Sequence, residues 1–372
     1  MKTKNHEKWM RQAFLEAERC KGFTGKNPNV GCVIVKNEKI IQRARTSFNG
    51  RPHAEQNAIN LISDASVLKN SSIYITLEPC AHLNEEGISC ADLIAESGIK
   101  EVIISNLDPD PRTSGKGVSI LKRAGIIVQE NFLEEEGLKV NSGFFSRLIN
   151  GRPYITLKVA ISLDGKIALS NNKSKWISNE VSRNFGHLLR SQSDGIMSSS
   201  NTILNDNSSL TCRLPGLEKY SPFKIIIDRN LKIPRNYNIF KSKLDNKIIL
   251  YFDSTKISKK KSIIEEDHNI IYKDLRSIPN IQHDFWSSLF NDLCDYGINN
   301  LMIESGPTLI FDLIKQNLID EIAIFRTGKI IGNDGIPFIG SLESKNISKL
   351  LDFELIDQKN FVGDVFELRK LI

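Results

Sequence analysis

A histidine, a glutamate and two cysteines stand in an order that could hold a metal and activate water: His53-Ala-Glu55, then Pro79-Cys80, then Cys90. One imidazole and two thiolates give zinc three ligands and leave the fourth position open, which is what separates catalytic from structural zinc. A water in that position loses proton affinity and becomes a nucleophile near neutral pH. Glu55, two residues past the histidine, can reach such a water without ligating the metal and can carry its proton to a departing amine. Taken singly, each residue is explained by packing: two buried thiols, a histidine in the first turn of a helix, a glutamate at a helix start. Taken together and in this order, they point to zinc-dependent hydrolysis.

The elements that must position these groups are legible around them. Met10, Ala13, Phe14 and Ala17 recur at helical spacing, predicting an amphipathic helix over residues 6–20. Val30–Val35 and Ile40–Ala44 read as a hairpin turning at Asn37-Glu38. A helix marked by Ala54, Ala58, Leu61 and Ile62 starts at His53 and Glu55; the strand Ile73–Leu77 leads into Cys80; Cys90 opens a helix over Ala91–Glu96. Strand 102–105, helix 117–123 and strand 126–129 continue the alternation, which implies an α/β sandwich of about 150 residues. Asn150-Gly-Arg-Pro153 is a turn-forming cluster, so domains are expected at 1–148 and 152–372. The second domain alternates again, with strands expected at 154–160, 194–197, 223–228, 247–251, 300–304 and 319–326. Residues 231–285, rich in Lys, Asn and Ser, read as its most solvated part.

A length of 372 residues agrees with two domains, and 40% hydrophobic with 25% charged residues is ordinary globular composition. Collagen-like, coiled-coil and disordered chains are excluded. No stretch approaches the ~20 apolar residues of a spanning helix, and no apolar core follows the first charges as in a signal peptide, so the cytoplasm is the expected compartment. The net charge is +6, and residues 1–150 carry 20 basic against 18 acidic side chains, so the excess is not gathered into a nucleic-acid patch. Small anionic ligands remain compatible. In a cytosolic chain the six cysteines are thiols, ligands or nucleophiles rather than disulfides; Cys32, inside the apolar run, reads as core.

The order His-x-Glu, then Pro-Cys, then Cys is that of zinc-dependent nucleobase deaminases, with the second cysteine delayed to Cys90. That delay, introduced by Leu77-Glu-Pro-Cys-Ala-His82, resembles the deaminase half of the bifunctional riboflavin-biosynthesis deaminase/reductases. Lys26-Asn-Pro-Asn-Val-Gly-Cys-Val-Ile-Val35, Pro52-His-Ala-Glu-Gln-Asn-Ala-Ile59, Asp108-Pro-Asp-Pro111 and Gly115-Lys-Gly117 carry the same resemblance. In the second half the residues alone read as an ordinary α/β domain. As a block, Lys158–Ala168, Ser174-Lys-Trp-Ile177, Leu189-Arg190, Ser193-Asp-Gly195, Arg213 and Glu304-Ser-Gly-Pro-Thr-Leu309 resemble that family's reductase half. The resemblance runs from about residue 6 to about 340.

The resemblance implies a cytidine-deaminase-like α/β/α sandwich followed by a dihydrofolate-reductase-like α/β domain, with Zn2+ and NADPH as cofactors. The implied activities are deamination of a phosphoribosylated diaminopyrimidine and then reduction of its ribosyl group to ribityl. Residue by residue it makes Glu55 catalytic, His53, Cys80 and Cys90 zinc ligands, and Asn27 and His82 substrate contacts. From the residues alone, His82 could ligate the metal or, more readily, only pack in its loop. Ser174, Arg190, Asp206, Leu210, Arg213 and Glu304 match substrate contacts of the reductase. Ala160, Trp176, Thr202, Asp206, Arg229, Gly306, Pro307, Thr308, Leu309, Ile310, Phe311 and Asp312 match cofactor contacts. Free backbone N–H groups near Gly306 and Pro307, at the start of a helix near Thr308, suit a diphosphate.

The chain departs from the family in three places. Leu83–Ser89 replaces a Gly-Arg/Lys-Thr-Pro-Pro stretch and puts glutamates where a cation would meet phosphate. Ser198-Ser-Ser200 replaces glycines, so side chains are expected to crowd a cofactor that needs close backbone approach. Arg229 stands where serine is common. Three rivals follow: a nucleic-acid-directed zinc deaminase, a half that serves only as a binding module, and a deaminase with a decayed reductase. The expected partner is a small phosphoribosylated pyrimidine, with no nucleic acid and no membrane; a homo-oligomer is left open.

Overall fold

The computed structural model describes residues 2–83, 87–241, 247–257, 268–343, 346 and 350–372. Asn84, Glu85 and Glu86 of the atypical loop lie outside the described residues, as does part of the Lys/Asn/Ser-rich stretch. The chain divides into two compact units, Met1–Arg152 and Pro153–Ile372.

The first unit runs α1 (Lys2–Glu18), β1 (Gly31–Lys36), β2 (Lys39–Arg45), α2 (Ala54–Asn60), β3 (Ser72–Leu77), α3 (Cys90–Glu96), β4 (Glu101–Asn106), α4 (Lys116–Arg123), β5 (Ile127–Gln129), α5 (Glu134–Val140) and α6 (Ser142–Asn150). Its sheet has the order β2-β1-β3-β4-β5, with β1 antiparallel to both neighbours and β3, β4 and β5 parallel. Successive residues of a strand face opposite sides, so the apolar run of β1 serves two cores. Val33 and Val35 meet Met10, Ala13, Phe14 and Ala17 of α1. Cys32 and Ile34 meet Ala54, Ala58, Ile94, Val118 and Leu121 of α2, α3 and α4. Each such side chain contributes about 1.5–3 kcal/mol when fully buried. The hairpin turns at Asn37 and Glu38, both with positive φ, 50° and 58°, as a two-residue turn of the primed type requires. Gly31 lets α1 lie directly on the sheet, since a Cβ there would come within 1.9 Å of Ala13 O. The expected α2 is shorter than its apolar markers suggest: Leu61 is 64% exposed and Ile62 lies past the helix end.

The second unit runs β6 (Tyr154–Ile161), β7 (Lys166–Ala168), α7 (Glu180–Ser191), β8 (Gly195–Ser199), α8 (Ser200–Asp206), β9 (Phe223–Ile227), β10 (Ile248–Phe252), β11 (Ile270–Asp274), α9 (Phe285–Asp295), β12 (Asn300–Ile303), α10 (Pro307–Lys315), β13 (Glu321–Arg326), β14 (Ile336–Pro337), β15 (Phe353–Phe361) and β16 (Asp364–Leu371). Nine strands form one sheet in the order β11-β10-β9-β8-β12-β6-β13-β16-β15. It is parallel from β11 to β13 and antiparallel at β16 and β15. Met197 of β8 packs with α9 and α10 on one face, and Ile196 with Ile203, Leu210 and Ile226 on the other. The closing hairpin β15–β16 lacks a strand signal in sequence because β15 is a largely exposed edge carrying Glu354, Asp357 and Lys359. Pro307 is the first residue of α10, one before the expected Thr308, with Gly306 as the N-cap, where a missing N–H costs nothing. Among the described residues no helix is long and apolar enough to cross a membrane.

Candidate active sites

The first unit gathers its chemistry where α2 and α3 begin beside the end of β3. His53 is the N-cap of α2 and makes no side-chain cap bond, so its ring is available. Cys80 follows β3, and Cys90 is the first residue of α3, whose N-cap Ser89 accepts a bond from Asp92 N. The His53 Nδ1 atom lies 3.6 Å from Cys80 Sγ and 3.4 Å from Cys90 Sγ. All three ligand atoms fall within 4.8 Å of one another, and the Cys90 backbone N–H donates to Cys80 Sγ at 3.5 Å. The thiols act as a pair. The Cys90 thiol and then the His53 imidazole hold Cys80 far below the usual thiol range, despite burial, so one sulfur is readily a thiolate.

Glu55 sits in the first turn of α2, 3% exposed. Burial pushes its carboxyl up to about 7, partly opposed by His53. Its Oε2 is buried without any hydrogen-bond partner. A carboxylate oxygen left bare beside a converged His/Cys/Cys set fits a metal and its water, since such an atom otherwise costs about 1–3 kcal/mol.

Glu78 is the strut beneath these ligands. Its carboxylate accepts from Asp108 N (3.2 Å), Gly115 N (3.0 Å) and Val118 N (3.1 Å), tying the loop after β4 and the start of α4 to the β3 end. Gly117 makes the approach possible: a Cβ there would stand 2.1 Å from Pro79 O. Gly117→Ala is therefore expected to cost about 1–3 kcal/mol and to loosen the metal ligands, seen as a lower Tm and faster zinc loss to a chelator.

A cavity of about 220 Å³ opens onto this cluster and is lined by His53, Glu55, Cys80, Asn27 and His82 among others. Asn27 is pinned over Gly50, its Nδ2 donating to Thr24 O and Asn49 O at 3.4 Å each. The His82 ring meets Thr113 Oγ1 at 3.5 Å and is not part of the metal-ligating cluster. The cavity also holds Asp108, Arg112, Arg147 and Lys26, none of which the sequence singled out as a site residue. Asp108 had a signal: it stands just past the carboxyl end of a parallel strand, where α/β sheets place ligands. Burial holds its carboxyl up near 7.

The second unit has a larger cavity, about 480 Å³, along the carboxyl edge of its parallel strands. Ala160, Ser174, Trp176, Arg190, Thr202, Asp206, Leu210, Arg213, Glu304, Gly306 and Pro307 all line it. Its centre is an ion cluster. Arg190 grips Glu304 with two bonds, Nε–Oε1 at 2.7 Å and Nη2–Oε2 at 2.8 Å, and Lys158 Nζ lies 3.7 Å from Glu304 Oε2. Burial works to raise the Glu304 carboxyl, but Arg190 and Lys158 overcome it and hold it down to about 2. Beside them His187 is lowered to about 4 by burial and then by Arg190 and Arg213, so it is neutral at pH 7, its Nδ1 3.1 Å from Thr211 O. Lys158 and His187 were missed in sequence. Lys158 alternates with apolar β6 residues and reads there as an ordinary outward lysine.

Ser174 Oγ donates to Asp206 Oδ1 at 3.2 Å. Trp176, 60% exposed, lies under the Arg183 guanidinium at 4.5 Å. The serine run does not put three side chains into the cleft: Ser198 is wholly buried, Ser199 caps α8 through Thr202 N, and Ser200 begins that helix. Thr202 Oγ1 accepts from Gly306 N at 2.9 Å and meets Ser305 Oγ at 3.3 Å, leaving a hydroxyl-lined ledge at the start of α10. Beside Gly306 a Cβ would find, among the described residues, Thr202 Oγ1 alone, at 3.5 Å, so a ligand can approach this backbone closely, with the hydroxyls of Thr202 and Ser305 next to it. Six of the expected cofactor residues do not line this cavity. Thr308 is exposed; Leu309 and Ile310 face the core; Phe311 packs against Gly340; Asp312 accepts from Trp286 Nε1 at 2.8 Å. Arg229, just past β9, stacks 4.8 Å over Phe285.

Comparison with known proteins agrees with both halves. Residues 3–106 match the family model of the cytidine and deoxycytidylate deaminase zinc-binding region, and residues 153–365 that of the RibD C-terminal domain. The chain is 34% identical over 343 residues to the riboflavin biosynthesis protein RibD of Aquifex aeolicus, covering 92% of each chain. It is 36% identical over 363 residues to that of Buchnera aphidicola, covering 93% of each. Among solved structures it resembles RibD of Acinetobacter baumannii, with TM-score 0.85 and 28% identity over 100% of this chain and 99% of the other. It also resembles the diaminohydroxyphosphoribosylaminopyrimidine deaminase/5-amino-6-(5-phosphoribosylamino)uracil reductase of Thermotoga maritima, with TM-score 0.84 and 28% identity over 100% of both chains.

Proposed function

The chain belongs to the RibD family, a zinc-dependent deaminase joined to an NADPH-dependent reductase of riboflavin biosynthesis, and from that premise we propose which of its residues do each reaction. The first converts 2,5-diamino-6-(5-phosphoribosylamino)pyrimidin-4(3H)-one to 5-amino-6-(5-phosphoribosylamino)uracil; the second reduces the ribosyl side chain to ribityl. The observation that carries the deaminase assignment is the convergence of His53, Cys80 and Cys90 beside the bare, buried Oε2 of Glu55. Those three residues would hold zinc, which when bound supplies a Lewis acid that makes water nucleophilic near neutral pH. Glu55 takes a proton from the attacking water and returns it to the amine that leaves as ammonia. Asn27 and His82, on the cavity wall, orient the pyrimidine.

In the second unit Thr202, Ser305, Gly306 and Pro307 would receive the NADPH diphosphate, and NADPH when bound supplies the hydride. Arg190 holds Glu304 in place against the ribosyl group. Lys158 donates a proton to the ribose ring oxygen as the bond from C1′ to that oxygen breaks and C1′ gains hydride. With Arg190 spent on Glu304 and Thr211 O and His187 kept neutral, Arg213 is the cation for the phosphate. Ligand specificity is for this small phosphorylated molecule rather than nucleic acid, and the proposed compartment is the cytoplasm. Tight, salt-sensitive RNA binding would contradict the first point.

Incubation with the diaminopyrimidine phosphate, with and without NADPH, tests the reading by product mass. Replacement of an amine by oxygen without NADPH, then gain of two hydrogens with it, is expected. Deamination without any reduction would favour a decayed reductase. Prolonged dialysis against a strong chelator is expected to abolish ammonia release and to leave NADPH oxidation on supplied uracil intermediate intact; zinc, added back, restores the first.

A further inference from the structure

We propose that Lys26 and Arg147 seat the phosphate of the deaminase substrate at the open end of the first cavity, an inference that rests on the deaminase reading above. That cavity has a buried end, with Glu55 at 3% and Cys80 at 6% exposure, and an end where Lys26 is exposed. A phosphoribosylated pyrimidine presented base-first to Glu55 must therefore bring its phosphate outward. Among the described residues, three cationic side chains other than histidine line the cavity: Lys26, Arg112 and Arg147. Arg112 is already spent, gripped by Asp110 through Nε at 2.9 and 3.0 Å and through Nη2 at 2.5 Å. Lys26 has no acidic partner among the described residues. Arg147, in the last turn of α6, donates from Nη2 to the backbone O of Lys26 at 2.9 Å and lies 5.7 Å over the Phe144 ring.

That bond fastens the Lys26 backbone to α6 and sets two positive side chains on one rim. Their chemistries are complementary: lysine is a compact point charge, arginine a planar fork, and a phosphate dianion accepts charge-assisted bonds from both. In sequence, Leu83–Ser89 holds two glutamates and neither lysine nor arginine, so that stretch has no cation to give. Buried Glu55 thus marks the base end and exposed Lys26 the phosphate end, which sets the direction in which the substrate enters.

Steady-state kinetics on the full-length zinc-loaded chain test this with two substrates, the phosphorylated diaminopyrimidine and its dephosphorylated riboside. Lys26→Ala is expected to raise KM for the phosphorylated substrate about tenfold or more, the effect of losing one charge-assisted bond. It is expected to leave kcat, zinc content and riboside turnover near wild type. Lys26→Arg restores most of the loss. Arg147→Lys, which keeps the charge but not the fork, is expected to give a smaller rise confined to the same substrate. Ribose 5-phosphate is expected to inhibit wild type competitively and Lys26→Ala more weakly. Equal losses on both substrates, or none on either, would overturn the phosphate seat while wild-type turnover leaves the deaminase reading standing. A wild type that fails to deaminate the phosphorylated compound overturns both.

Discussion

Glu55→Gln is expected to slow ammonia release by about 10²–10⁴-fold, the range of a lost general acid–base group, with zinc content and NADPH oxidation unchanged. Glutamine keeps the shape of the side chain but cannot take a proton. The metal-ligating set excludes Glu55, since among the described residues His53, Cys80 and Cys90 are the ones that converge within 4.8 Å, so the ion should stay. What is lost is the carboxylate whose Oε2 stands buried and unpartnered beside them, raised to about 7 and so poised to exchange protons near neutrality. Wild-type ammonia release from this variant would remove Glu55 from the mechanism. Loss of zinc along with activity would instead make it a structural support of the site.

The second large effect is expected in the other unit. Glu304→Gln leaves Arg190, whose side chain is 13% exposed, and Lys158 without their shared counter-charge. Breaking a buried pair from one side costs about 3–5 kcal/mol, so the melting transition of the second unit should fall sharply while the first unit and its deaminase activity are spared. Reduction should be lost as Arg190 is released from its two-bond grip. The pH dependence gives a second readout. The Glu304 carboxyl is depressed to about 2 from an ordinary 4.5. Its contribution is therefore complete above about 4.5 and is lost as pH falls through about 2, because the unfolded chain takes up the proton first. The wild-type transition should drop between those values more steeply than that of Glu304→Gln. Parallel slopes would mean that the ion pair does not stabilise the unit.

The hydrolytic constellation was legible because its members are local in two senses. His53 and Glu55 are two residues apart at a helix start, and Cys80 and Cys90 flank a single loop; short-range spacing and helix-start signals survive in a linear reading. The same is true of the layered arrangement, since the apolar periodicities of α1, β1 and β3 already state which faces must be covered. Boundaries were less secure where burial stops before the apolar pattern does, as at Leu61, or where an edge strand such as β15 has no core to pack into. The serine run shows the reverse error: side chains that threaten a cleft on paper are spent in the sheet and on a helix cap.

By itself the sequence singled out His53, Glu55, Cys80 and Cys90 as one set and marked the α/β layering and a break near residue 150, because each depends on residue type and spacing along one or two elements. Only the tertiary structure decided that Arg112 is neutralised while Lys26 and Arg147 share a rim, that Lys158 joins Arg190 on Glu304, and that Arg229 stacks on Phe285. These depend on which residues far apart in the chain share one low-dielectric space, and charge pairing at a few ångströms follows from three-dimensional distance, to which linear separation is blind.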